Sequence, residues 1–219
     1  MYKRIVFSAP VLLLLACSAP GFASVLYTDG SINGTNNGFF IDGPNAGPFQ
    51  QSISDSFVAT NGGTAGSLDV GLWVTAGTTP TTLSWWLGTS AFGSEISSGT
   101  AALGAGTNTL LISNNVFGFD IYSVHVGGLS GALTGGNTYY LTLGNANDSG
   151  GDQSVAWDVI DGPSGCSFAV GGNPVGDCGA GGEAFTINSG TATPEPAAAF
   201  LLGSGLLAMA GVLRRKTRA

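Results

Sequence analysis

The sequence predicts a mainly β protein. The expected architecture is an antiparallel β-sandwich or jelly-roll-like ectodomain, with an N-terminal signal helix and a single C-terminal transmembrane helix. Three observations predict it. Apolar residues in the middle of the chain recur at every second position, the period of half-buried strands. Clusters rich in Gly, Asn and Ser interrupt these runs at short intervals. Between the N-terminal signal segment and Pro196 no helix-period segment of any length occurs.

Residues 1–23 read as a secretory signal peptide. Lys3 and Arg4 form its positive start, and residues 5–16 form an apolar stretch broken only by Ser8 and Pro10. Gly21-Phe22-Ala23 puts small residues where signal peptidase needs them, so cleavage is expected between Ala23 and Ser24. An uncleaved anchor is one rival. Another is a lipoprotein, because Leu14-Leu15-Ala16-Cys17 approximates a lipobox in which Cys17 would be lipidated.

Residues 24–188 form the expected ectodomain. Leu68, Val70, Leu72 and Val74 alternate along one strand, and Leu83, Trp85 and Leu87 along another. Tyr122, Val124 and Val126 share a face, as do Tyr139, Leu141 and Leu143. Shorter strands are expected over residues 25–28, 53–59, 99–103, 154–159 and 183–188. Turn clusters such as Asn61-Gly62-Gly63, Gly135-Gly136-Asn137 and Ser149-Gly150-Gly151 supply residues that tolerate positive φ. Many short strands with frequent turns favour a sandwich or jelly roll. Residues 166–178 are Gly-rich and read as a surface loop.

Charge placement excludes more than the formal net charge of −7 does. All six basic residues, Lys3, Arg4, Arg214, Arg215, Lys216 and Arg218, lie in the terminal segments. The ectodomain has no Lys or Arg, and His125 is its one histidine. Nucleic-acid binding is excluded as a function class, since phosphate neutralisation needs Lys or Arg. Acid–acid repulsion in such a domain could be relieved by cations such as Ca²⁺.

Of three cysteines, Cys17 leaves with the signal peptide, and Cys166 and Cys178 remain. An even pair in an exported domain points to a disulfide. Closing so short a loop stabilises by about 2–3 kcal/mol in the chain-entropy model. Free thiols, a redox role or a metal site are the alternatives; with no CxxC and one distant His, no metal site is expected.

The candidates for chemistry are few. His125 lies opposite Val124 and Val126 and reads as a solvent-facing strand residue rather than a general base. No GxSxG motif marks a hydrolase elbow. Glu95, Glu183 and several Asp residues could in principle supply a glycosidase pair, but spacing does not place any two together. No enzyme activity is expected. Trp73, Trp85, Trp86 and Trp157 either fill the core or offer flat faces to sugar rings. Trp86 points away from the Leu83–Trp85–Leu87 face, which makes it the candidate for exopolysaccharide binding. Asn145, Asn147, Asp148 and Asp152 crowd one loop, and Asp148 and Asp152 are the candidate Ca²⁺ ligands. Their spacing does not match an EF-hand, and solvated turn acids are the plainer reading.

Residues 189–193 read as a linker, and residues 194–219 as a tail in three parts. The triplet Pro194-Glu195-Pro196 comes first. Residues 197–213 follow, uncharged and with Ser204 as the one polar side chain. Residues 214–219 close the chain with Arg214, Arg215 and Lys216. At about 1.5 Å per residue a helix over 197–213 spans ~25 Å, enough for a bilayer at the short end of the range. The basic cluster stays cytoplasmic and the ectodomain outside. The prolines keep the triplet extended and open to a processing enzyme.

This triplet–helix–basic order resembles the PEP-CTERM sorting signal of Gram-negative bacteria. The resemblance implies export, recognition of Pro194, Glu195 and Pro196 by an exosortase, and a transient membrane anchor. The runs Leu83–Ser94 and Gly136–Leu143, with Val155-Ala156-Trp157-Asp158, look more loosely like the middle of such proteins, which implies a β-rich ectodomain of unassigned activity. The expected role is structural or adhesive, at the cell surface or in the extracellular matrix. A carbohydrate-binding module is the alternative, and a glycan hydrolase a third reading. The expected partners are signal peptidase, the exosortase, the membrane and extracellular polysaccharide.

Overall fold

The structure is a computed structural model. It describes residues 23–35, 37–42, 50–151, 154–160, 165–179 and 181–190. The expected signal segment before Ala23 and the sorting tail 194–219 lie outside the described residues.

Fifteen strands are described: β1 (Val25–Thr28), β2 (Asn37–Phe40), β3 (Gln51–Val58), β4 (Gly63–Thr75), β5 (Pro80–Gly88), β6 (Ser97–Ala102), β7 (Asn108–Ile112), β8 (Phe119–Gly127), β9 (Ala132–Leu133), β10 (Thr138–Asp148), β11 (Ala156–Ile160), β12 (Gly165–Val170), β13 (Asn173–Asp177), β14 (Gly182–Glu183) and β15 (Phe185–Ser189). No helix occurs among the described residues. The mainly β expectation is met, and all pairings are antiparallel.

Six strands form one sheet in the order β13-β12-β3-β10-β5-β6. The larger sheet is built around β4. One edge of β4 pairs with β8 along its length, and β7 lies beyond β8. The other edge pairs first with β15 over residues 65–70, then with β11 at Leu72 and Trp73. β1 flanks β15, while β2 and β14 pair with β11.

The two sheets share one apolar core. Leu68, Val70, Leu72 and Val74 are fully buried from one side. Ile53, Phe57, Leu83, Trp85, Leu87, Tyr139, Leu141 and Leu143 meet them from the other. Register explains the match: Tyr139 lies opposite Phe57, Leu143 opposite Ile53, and Leu141 opposite Leu87. Directly opposed residues share a face, so each pair adds to one apolar surface. The centre is aromatic, with Phe57, Tyr27 and Phe185 in mutual ring contact and Trp157 against Phe185. On the outer face of the larger sheet, Trp73, Ile121 and Ala156 form a second, smaller cluster packed by Ile32, Phe40, Ile112 and Phe119.

Two sequence expectations are corrected. Residues 166–178 are not a loop but a hairpin, β12–β13, added to the edge of β3. Gly171 and Gly172 both take positive φ, 57° and 80°, and form its two-residue turn. The Asn145–Asp148 segment is likewise not a turn but the end of β10.

Candidate functional site

The disulfide between Cys166 and Cys178 is present, with Cα atoms 5.4 Å apart. Cys166 is buried and Cys178 half-buried. Of the four tryptophans, Trp73, Trp85 and Trp157 are buried, whereas Trp86 is half-buried on the outer face of β5. His125 is exposed, and its Nδ1 lies 2.7 Å from Asp69 Oδ1. The second Asp69 oxygen accepts from Asn188 Nδ2. Asp148 is buried rather than solvated. It accepts from the Thr78 hydroxyl at 2.7 Å and from the amides of Gly150 and Gly151 at 3.0 Å, so it closes the turn after β10. Asp152, its expected companion, lies outside the described residues, as do Pro194, Glu195, Pro196, Arg214, Arg215 and Lys216.

What the structure brings together is a group of carboxyls inside the domain. Asp55 sits on β3 between Ile53 and Phe57, at a core-facing position, and is fully buried. Directly opposite it are Leu141 on one side and Cys166 on the other. Glu183 lies opposite Val159 on β11 and is also fully buried. The two strands are tied together by the Glu183 amide, which donates to Asp55 Oδ2 at 2.7 Å. Neither side-chain oxygen of Glu183 has a hydrogen-bond partner among the described residues. Its carboxyl and the two sulfurs of the disulfide all lie within 4.8 Å of one another. Near them, Asp29 accepts from the Tyr27 hydroxyl at 2.8 Å.

Asp158, on the outer side of β11, is, like Asp42, fully buried too. It is well partnered. The Trp73 indole donates at 2.6 Å, and the amides of Asn33 and Gly34 donate at 2.9 and 3.1 Å. Gly34 can deliver its amide because it sits at φ 61°, pressed against Ile121 where a Cβ would collide.

These environments set the protonation states. Burial raises the Asp158 carboxyl above the ordinary range, although the bonds from Trp73, Asn33 and Gly34 pull it back in part. Glu183 is pushed far higher: burial is the largest cause, and the charges of Asp55, Asp158 and Asp29 add to it. The Tyr27 phenol is also raised, by burial and by Asp29, so it stays a donor. With no Lys or Arg in the domain, nothing cationic is at hand to hold Glu183 ionised. Burial and the neighbouring acids therefore favour the protonated form of Glu183, which is able to hold and hand over a proton. Cys166, Cys178 and Glu183 have the composition of a metal-ligand set, but sulfurs joined in a disulfide are not thiolates and do not ligate zinc in this state.

The sequence reading named Glu183 only as a possible glycosidase acid. Its closure from solvent rules out contact with a polysaccharide chain in this conformation. Asp55 was overlooked, yet a signal existed: it occupies an apolar phase, Ile53-x-Asp55-x-Phe57, where a strand facing the core should carry a hydrophobe.

Comparison with known protein families and with curated proteins finds no match to this chain.

Proposed function

We propose that this protein is an exported cell-surface or extracellular-matrix component with a structural or adhesive role. In this reading a signal peptide ending at Ala23 is removed, and an exosortase handles the chain at Pro194-Glu195-Pro196 while residues 197–213 hold it in the membrane. The ectodomain is then a β-sandwich of the jelly-roll kind. The observation that carries the reading is the order of triplet, apolar run and Arg214-Arg215-Lys216 in a single tail. The disulfide-linked domain suits an oxidising exterior.

Intact mass spectrometry of the protein recovered from its native host tests this. The expected product starts at Ser24 and lacks the residues beyond the triplet. Retention of Arg214–Arg218 in the mature protein would overturn processing at the triplet. Changing Pro194-Glu195-Pro196 to three alanines should trap the unprocessed form in the membrane fraction.

The half-buried Trp86 favours a second reading, a carbohydrate-binding module. It predicts saturable binding of host exopolysaccharide that Trp86→Ala abolishes. Equal binding by the variant would remove this reading.

A further inference from the structure

A disulfide that only staples a hairpin needs no acid beside it. This one has Glu183, fully buried, with both oxygens lacking partners and its carboxyl within 4.8 Å of both sulfurs. The two sulfurs are also unequal. Cys166 is enclosed between β3 and the core, and Cys178, just past the end of β13, is the less buried of the two. We propose that Cys166–Cys178 is an exchangeable disulfide, attacked at Cys178 by an external dithiol, with Glu183 as the proton donor to the Cys166 sulfur.

The chemistry balances as follows. A thiolate of the dithiol attacks Cys178 Sγ and forms a mixed disulfide. The Cys166–Cys178 bond breaks, and its electron pair goes to Cys166 Sγ. A thiolate released into the interior would be as costly as any other buried charge. Glu183 gives its proton to that sulfur and becomes a carboxylate, which recovers a proton from solvent. The second thiolate of the reagent then displaces Cys178, which takes its own proton from water. The dithiol is oxidised by two electrons, and the protein disulfide is reduced to two thiols. In reverse, the Glu183 carboxylate removes the proton from Cys166 as the bond re-forms.

The surroundings keep Glu183 loaded. Asp55 lies on β3, Asp29 just past the end of β1 and Asp158 on the outer side of β11, and all three charges oppose its ionisation. The one titratable cation of the domain, His125, is occupied by Asp69 on the exposed face of the larger sheet. A general acid placed at a leaving group contributes about 10²–10⁴-fold, and exchange also depends on how readily the leaving sulfur departs.

The test is the rate of reduction of the purified full chain by dithiothreitol between pH 5 and 9, followed by acid quench, alkylation and mass. Each rate is divided by the thiolate fraction of the reagent. The wild type should exceed Glu183→Gln by about 100-fold at pH 5–6, and its corrected rate should fall with rising pH as the acid is lost. Glu183→Gln should be flat. Corrected profiles within twofold of each other, or a faster variant, would overturn the proposal. Should Glu183→Gln fail to fold, the wild type still decides. Only Glu95, Glu183 and Glu195 carry a glutamate label. Infrared spectra of the ¹³C-glutamate protein at pH 7 should show a protonated carboxyl band that shifts on reduction, and its absence would equally overturn the proposal.

Discussion

Replacing Glu183 by Gln should stabilise the protein, by an amount that grows with pH. In the unfolded chain Glu183 ionises near the ordinary value of 4.5; in the folded domain, burial and the charges of Asp55, Asp158 and Asp29 hold it protonated well above that. The native state therefore binds more protons than the unfolded state between those two values, and stability falls as pH rises through that window. Each pH unit in the window costs about 1.4 kcal/mol, so the wild type gives up about 3 kcal/mol between pH 4.5 and 7 if the native carboxyl stays protonated throughout. Gln keeps the shape and does not titrate. Urea titrations of both proteins from pH 4 to 8, under non-reducing conditions, should give nearly equal stabilities at pH 4. The gap should then widen until the native carboxyl itself ionises. In melting temperature, about 3 kcal/mol corresponds to roughly 6–12 °C for a domain of this size. A gap independent of pH, or a variant less stable than wild type at pH 7, would refute the reasoning.

Gly66→Ala should destabilise by about 1–3 kcal/mol in thermal melts, because the new Cβ overlaps the backbone of Gly190 and Ser189, which cannot swing aside as a side chain could. Gly104→Ala, where a Cβ meets nothing, is the matched control and should change stability by under about 0.5 kcal/mol. Trp73→Phe removes the 2.6 Å donor to Asp158 and should cost about 1.5–3 kcal/mol in urea denaturation at pH 7. The loss should shrink toward low pH, where Asp158 is protonated and the bond to a charged acceptor no longer counts.

The sequence revealed strands where one face meets the core and the other does not. β4, β8 and β10 were legible because Leu68, Val70, Leu72, Val124, Val126, Leu141 and Leu143 stay in phase over long runs. β7 was missed because it is an edge strand whose Leu110 and Leu111 are both exposed, so no alternation marks it. The β12–β13 hairpin was missed because its Gly-Gly turn and Gly-rich flanks have the composition of a loop. At the site, the cysteine pairing followed from arithmetic, since two cysteines lie outside the expected signal segment. The acid beside it did not. Periodicity places Asp55 on the inner face, but nothing local to Gly182–Phe185 shows that Glu183 is carried against a strand nearly 130 residues earlier.

The strand order has a consequence for how the chain can be completed. Phe185–Ser189, the last strand described, occupies an interior slot between β1 and β4. Chains delivered from the N-terminus onward therefore carry an open gap in their larger sheet until nearly all of residues 23–190 have emerged. Shortening the protein ahead of Phe185 would strand β1 and expose one edge of β4, the kind of unpaired edge that recruits other chains. Closure of the larger sheet thus waits on the last strand described, and the globule seals only once Phe185–Ser189 is in place.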